Sequence, residues 1–140
     1  MILAGTPIRK AIITALTPVL GSSIPVYSVM PPDNVLKYVI ITSLSENALD
    51  EKRAFISEGV INIQVVEKFD TRDGDLDWVN TIASLISKTL TPDRLATFGN
   101  VDGIDLFSLW IDSNAESLFD TDPGRTAISS LRIRYYAQNT

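Results

Sequence analysis

Residues 57–91 read SEGVINIQVVEKFDTRDGDLDWVNTIASLISKTLT, and two periodicities meet inside them. Ile61, Ile63 and Val65 fall on one side of an extended chain and Asn62 and Gln64 on the other, the period-2 alternation of a strand with one wet face. This predicts a strand over 57–67. Past Leu76 the period changes. Leu76, Val79, Ala83, Ile86 and Leu90 recur every three or four residues, with Ile82 and Leu85 widening the stripe, and Pro92 stops the run. This predicts a helix that buries one face. Between the two lies FDTRDGDLD, residues 69–77, with four aspartates around one glycine.

Those aspartates invite a metal reading. An EF-hand loop needs oxygen ligands at positions 1, 3 and 5, glycine at 6 and a bidentate Glu at 12. With Gly74 at position 6, Phe69 falls at 1, Thr71 at 3 and Asn80 at 12. Starting from Asp70 puts Arg72 at 3 and Gly74 at 5. Neither register supplies the ligands. Turn chemistry accounts for more of the residues: DTRDG bends the chain, Asp75 stands where a helix N-cap belongs, and Asp77 lies in the first turn, where the helix dipole favours an anion. The stretch is read as the joint between a strand and a helix, with no metal and no catalytic residue.

Outward from this core the pattern continues. Upstream, KYVIITSLS (37–45) is β-branched and aromatic on both faces, as a central strand is, and a shorter β-rich piece, IPVYSVM (24–30), ends at Pro31-Pro32. The charged ENALDEKRAFI (46–56) between them and the alternating strand reads as a loop or the arm of a hairpin. At the start, Thr6-Pro7 resembles an N-cap with proline at the first helical position; Ile8, Ile12, Ala15, Leu16 and Val19 follow at helical spacing, and Pro18 and Gly21 mark the end. Downstream, FGNVDGID is a turn-rich joint without the Walker lysine or a G-x-G-x-x-G spacing. DLFSLWIDS (105–113) alternates as a strand, NAESLFDTDPGR is acidic and turn-like, and TAISSLRIRYYAQ (126–138) is a last strand with Arg132 and Arg134 on one face. The fold class expected is α+β: a mostly antiparallel four- to five-stranded sheet with two helices packed on one face, in a single domain spanning 1–140.

Composition narrows the function. The 140 residues can bury roughly two thirds of their unfolded surface without staples. There is no cysteine and no histidine, so Ser-His-Asp and Cys-His catalysis within one chain is excluded and transition-metal sites lose their commonest ligands. A net charge of −5 argues against a domain that grips nucleic acid, though not against one that lets it pass. Arg9 and Lys10 inside the apolar N-terminal stretch, with Pro7 and Pro18 breaking it, fit neither a signal peptide nor a membrane span, so a soluble protein used inside a cell is expected. Asp112, Asp120 and Asp122 read as solvated, and Trp78 and Trp110 as core or interface.

The order of elements, together with TPIRKAIITAL, VYSVMPPDNVLKYVIITSLSE, GVINIQVVEKFDTRDGDLDWVNTIASLISKTL and the closing DPGRTAISSLRIRYYA, resembles the tail-completion or tail-terminator proteins of long-tailed bacteriophages. Lys37 departs from that pattern, since family members often carry proline before the aromatic strand. The resemblance implies a virion protein, assembled in the host cytoplasm, that caps the finished tail tube as a homo-oligomeric ring, usually a hexamer. Its partners would be other copies of itself, the tail tube protein and the head connector or neck protein. Genome DNA would pass through its hole without specific binding, and no cofactor, membrane or enzyme activity is implied. The residues expected at subunit or tube contacts are Asp50, Glu51, Lys52, Arg53 and Phe55 in the charged segment, Glu116 and Phe119 in the 114–124 loop, and Arg132 and Arg134 on the last strand. Three alternatives stand beside this: a head-closure or neck connector protein, a small metal-dependent hydrolase using Asp70, Asp73, Asp75 and Asp77, and an adaptor that binds peptides along a sheet edge.

Overall fold

The computed structural model describes residues 5–51, 54–90, 100–101, 104–122 and 124–139. The chain runs α1 (Gly5–Leu20), β1 (Val26–Tyr27), β2 (Lys37–Glu51), β3 (Ala54–Phe69), α2 (Asp77–Thr89), β4 (Asn100–Val101), β5 (Ile104–Asp120) and β6 (Arg125–Asn139). These strands form one sheet in the order β1-β2-β3-β6-β5-β4. The pair β1–β2 is parallel and every other pair antiparallel. The α+β class and the helices on one face agree with the sequence. The strand number does not, because four long strands are joined by a two-residue strand at each edge.

Strand lengths also differ from the sequence reading, for a common reason. β2 and β3 pair residue against residue out to Glu51 and Ala54, so the charged 46–56 segment is a hairpin arm. β5 continues to Asp120 against β6, so 114–120 is strand and only the 121–124 turn is loop. Charge and small polar residues hide such extensions from pattern reading; residues 114–120 are all exposed, so no buried face imposes an alternation on them. β5 also carries irregularities between Leu106 and Ser108 and between Ile111 and Ser113, which break the simple alternation read over 105–113.

The core lies between the sheet and the two helices. α1 buries Ile8, Ile12, Leu16 and Leu20, one residue every fourth position. Its stripe therefore drifts past Val19, which is exposed, to Leu20. Helix α1 also begins ahead of Thr6 and runs through Pro18, whose missing N–H falls in the last turn. Gly21 closes it at φ 77°, with its N–H bonded to the Thr17 carbonyl at 3.0 Å, the left-handed ending that glycine adopts without strain. α2 buries Val79, Ile82, Ala83 and Ile86, with Leu90 following, while Leu85 faces outward. Facing them are Val39, Ile41, Ile61, Ile63, Val65, Leu109, Leu131, Ile133 and Tyr135. Gly59 sits opposite Tyr135 on the neighbouring strand, and a Cβ there would overlap the Tyr135 ring. The other face of the sheet has a smaller cluster of Tyr38, Ile40 and Val66, with Tyr27, Val35 and Ile128 packed against it.

Strands β3 and β5 both flank β6, and α2 carries the chain across it from one to the other. α1 lies over β2 and β3 and reaches β4, α2 lies over β3 and β6, and the helix-side face of β5 beyond Ile111 is left open. This open ledge positions the site below.

Candidate functional site

The aspartate-rich joint links β3 to α2. Asp75 accepts the backbone N–H of Asp77 on its carboxylate at 3.0 Å, the service of an N-cap rendered one residue ahead of Leu76, the helix boundary. Asp77 itself lies in the first turn of α2. Thr71 donates its hydroxyl to Asp73 at 3.4 Å. Arg125 donates to the Gly74 carbonyl at 3.0 Å and to Asp120 at 2.8 Å, tying this joint to the β5–β6 turn. Gly74 lies under the Phe69 ring and Gly124 against the Phe69 backbone, both too close for a Cβ. The β5–β6 turn is closed by Thr121 N–H to Gly124 O at 2.8 Å. Asp70, Asp73, Asp75 and Asp77 are all exposed, and among the described residues no three acidic side chains converge. The joint links three elements mechanically.

The contact residues expected from sequence fall into separate places. Asp50 and Phe55 are paired near the tip of the β2–β3 hairpin, next to Glu51, and Lys52 and Arg53 lie outside the described residues. Arg132 is exposed on the face away from the helices. Arg134, on that same face, is already engaged: it donates to Glu58 at 2.8 Å and to Asp112 at 3.4 Å. Those hydrogen bonds, first Glu58 and then Asp112, push its pKa further up, so the guanidinium keeps its charge. Beside it the rings of Trp110 and Tyr136 lie 5.5 Å apart. At the other end of the sheet Lys37 pairs with buried Glu67 at 3.1 Å and covers the Trp78 ring at 4.9 Å. Phe119 is 44% exposed near the end of β5, and its neighbour Leu118 is 40% exposed.

Glu116 belongs to a different place again. It lines a groove of about 440 Å³ between α2 and the open ledge of β5. Asn80, Ser84, Ser87 and Lys88 of α2 form one wall, Asn114 and Glu116 the other, and Ala83, Ile111 and Leu131 supply apolar lining. Ser129 lines it too, fully buried, accepting a 3.5 Å hydrogen bond from Asn114. The groove has an apolar bed, hydroxyl and amide walls, and one charge of each sign at its rim. An apolar bed between hydroxyl and amide walls is the chemistry that seats a protein side chain at an interface. Sequence reasoning reached Glu116 but missed the rest. The walls come from three elements and are small polar residues without a motif. The only hint is the Asn80, Ala83, Ser84, Ser87 spacing on one side of α2.

Among the described residues no helix is long and apolar enough to cross a membrane. No protein-family model and no curated protein sequence matches the chain. In three dimensions it is similar to a chain of the solved structure "Virion of native gene transfer agent (GTA) particle", with a TM-score of 0.68 and 16% sequence identity, over 94% of each chain. At that identity the likeness is one of fold.

Proposed function

We propose that the chain is a structural protein of a phage-like virion, a tail terminator that assembles as a homo-oligomeric ring, ends polymerisation of the tail tube and joins the tail to the head connector. The observation that carries this reading is the near end-to-end likeness of fold to a chain of a virion particle. The design of the molecule supports it. Ring formation needs a rigid sheet, distinct surfaces at its two sides and a heterologous contact whose rotation closes. The sheet here has a projecting β2–β3 arm, with Asp50, Glu51 and Phe55, an open β5 ledge with Glu116, and Phe119 on the opposite face of the same strand. We assign these residues to subunit and tube contacts and the Arg132 side of the sheet to a further contact. An acidic ring would repel DNA and let it slide through.

The test is direct. Native mass spectrometry of the purified chain should show a species near 92 kDa, six copies of 15.4 kDa. Added to polymerising tail tube protein, it should shorten the tubes and cap their ends in electron micrographs. Tubes that grow to the same length with and without it would sink the reading.

A further inference from the structure

We infer that Met30 and Val29 of one copy dock into the groove beside α2 of the next. This rests on the ring reading above and deepens it by naming the contact. Val29 and Met30 are the most exposed of the large apolar side chains described, at 70% and 74%. They project from the 28–36 loop at the β1 edge of the sheet, where the Tyr38 hydroxyl donates to the Met30 sulfur at 4.0 Å. Two adjacent apolar side chains so exposed form a knob that water disfavours. The groove, with about 440 Å³ of room between polar walls, offers Ala83, Ile111 and Leu131 as an apolar bed at the opposite edge of the sheet.

Register places knob and hole at one height. A single rung crosses the sheet from Val26 through Val39, Val65 and Ser129 to Glu116. At about 4.8 Å per strand, the two edges are about 19 Å apart along that rung. The knob thus leaves from the end of the rung that enters the groove at the opposite edge. A head-to-tail contact between these ends carries little displacement along the strands, which favours a closed ring over a climbing filament. Tyr38 lies on the face away from the helices, so the knob leans to that side while the groove opens on the helix side. Neighbours therefore overlap as shingles, and the free edge of β5 need not pair. Charge sets the orientation of the knob: Asp33, exposed three residues after Met30, is drawn to Lys88 on one wall of the groove and repelled by Glu116 on the other.

The chain has no cysteine, so cross-linking can be targeted cleanly. A double variant, Met30→Cys with Ser87→Cys, is oxidised at about 1 mM protein, where even a millimolar contact is about 40% occupied. The expected result is a ladder of disulfide-linked chains, absent from a control pair, Met30→Cys with Thr14→Cys, Thr14 being exposed on α1 and outside every assigned contact. Met30→Glu, at a position too exposed to disturb folding, should weaken self-association at least about tenfold. No ladder from the first pair, whether the protein is then a monomer or an assembly, overturns the docking. Assembly near 92 kDa without the ladder leaves the ring standing and removes only this contact. A ladder without a closed ring keeps the contact and removes the ring.

Discussion

Tyr38 shows how much one residue can carry that its position in the sequence does not announce. Its strand was readable from KYVIITSLS, but its partners come from elsewhere: the Tyr27 ring meets it edge-on with centroids 6.1 Å apart, and the Lys68 ammonium lies 5.7 Å from its centroid. Burial pushes its pKa up from the ordinary value. A phenol is charged when deprotonated, so the fold favours the neutral form. The resulting stability is fully present below the unfolded value of about 10 and is lost as pH rises above it. Between about pH 9 and pH 11 the urea midpoint of the natural protein should therefore fall further than that of Tyr38→Phe. Equal losses would show that the burial has no energetic consequence. Gly59 makes the same point about legibility. A glycine within an alternating strand hints at a close approach, but only the structure shows that Tyr135 on another strand fills the space.

Among the elements, α2 was the most legible and β5 the least. In α2 a local period, an aspartate-rich start and a terminating proline agree, and burial of Val79, Ile82, Ala83 and Ile86 follows the period. Its core face should outweigh its cap. Ile86→Ala removes a fully buried side chain and should cost about 2–5 kcal/mol. Asp75→Ala removes one exposed hydrogen bond to the Asp77 N–H and should cost about 0.5–2 kcal/mol. Chemical denaturation of the two variants checks the order, and the reverse order would mean that the joint, not the core, holds the helix. β5 resisted reading because residues 112–120 are exposed along their whole length, so no buried face imposes an alternation. Two bulges then shift what alternation there is. β1 is shorter than the β-rich IPVYSVM suggests, since only Val26 and Tyr27 pair with β2.

At the scale of the molecule, class and layering were legible because two amphipathic helices and several alternating strands admit few arrangements. Strand order was not, since β6 reaches its place between β5 and β3 by pairing with β3, far away in sequence. The groove was hidden for the same reason. Charge, by contrast, belongs to the chain as a whole and can be read without a structure. Each copy carries −5, so bringing copies together meets mutual repulsion that salt screens over a Debye length of about 10 Å at 0.1 M. Light scattering should find self-association stronger at about 0.3 M salt than at about 0.03 M; weakening with salt would mean that ion pairs, not apolar contact, hold the copies together. The long ladder has a mechanical side as well. β3 and β6 are joined over fourteen consecutive residue pairs, from Ile56–Gln138 to Phe69–Arg125. A tug parallel to the strands loads these bonds in shear, so many must rupture at once, whereas a sideways tug peels them one after another. The subunit is thus stiffest along its strands and weakest across them, and the direction in which an assembly pulls on it decides which of the two strengths it meets.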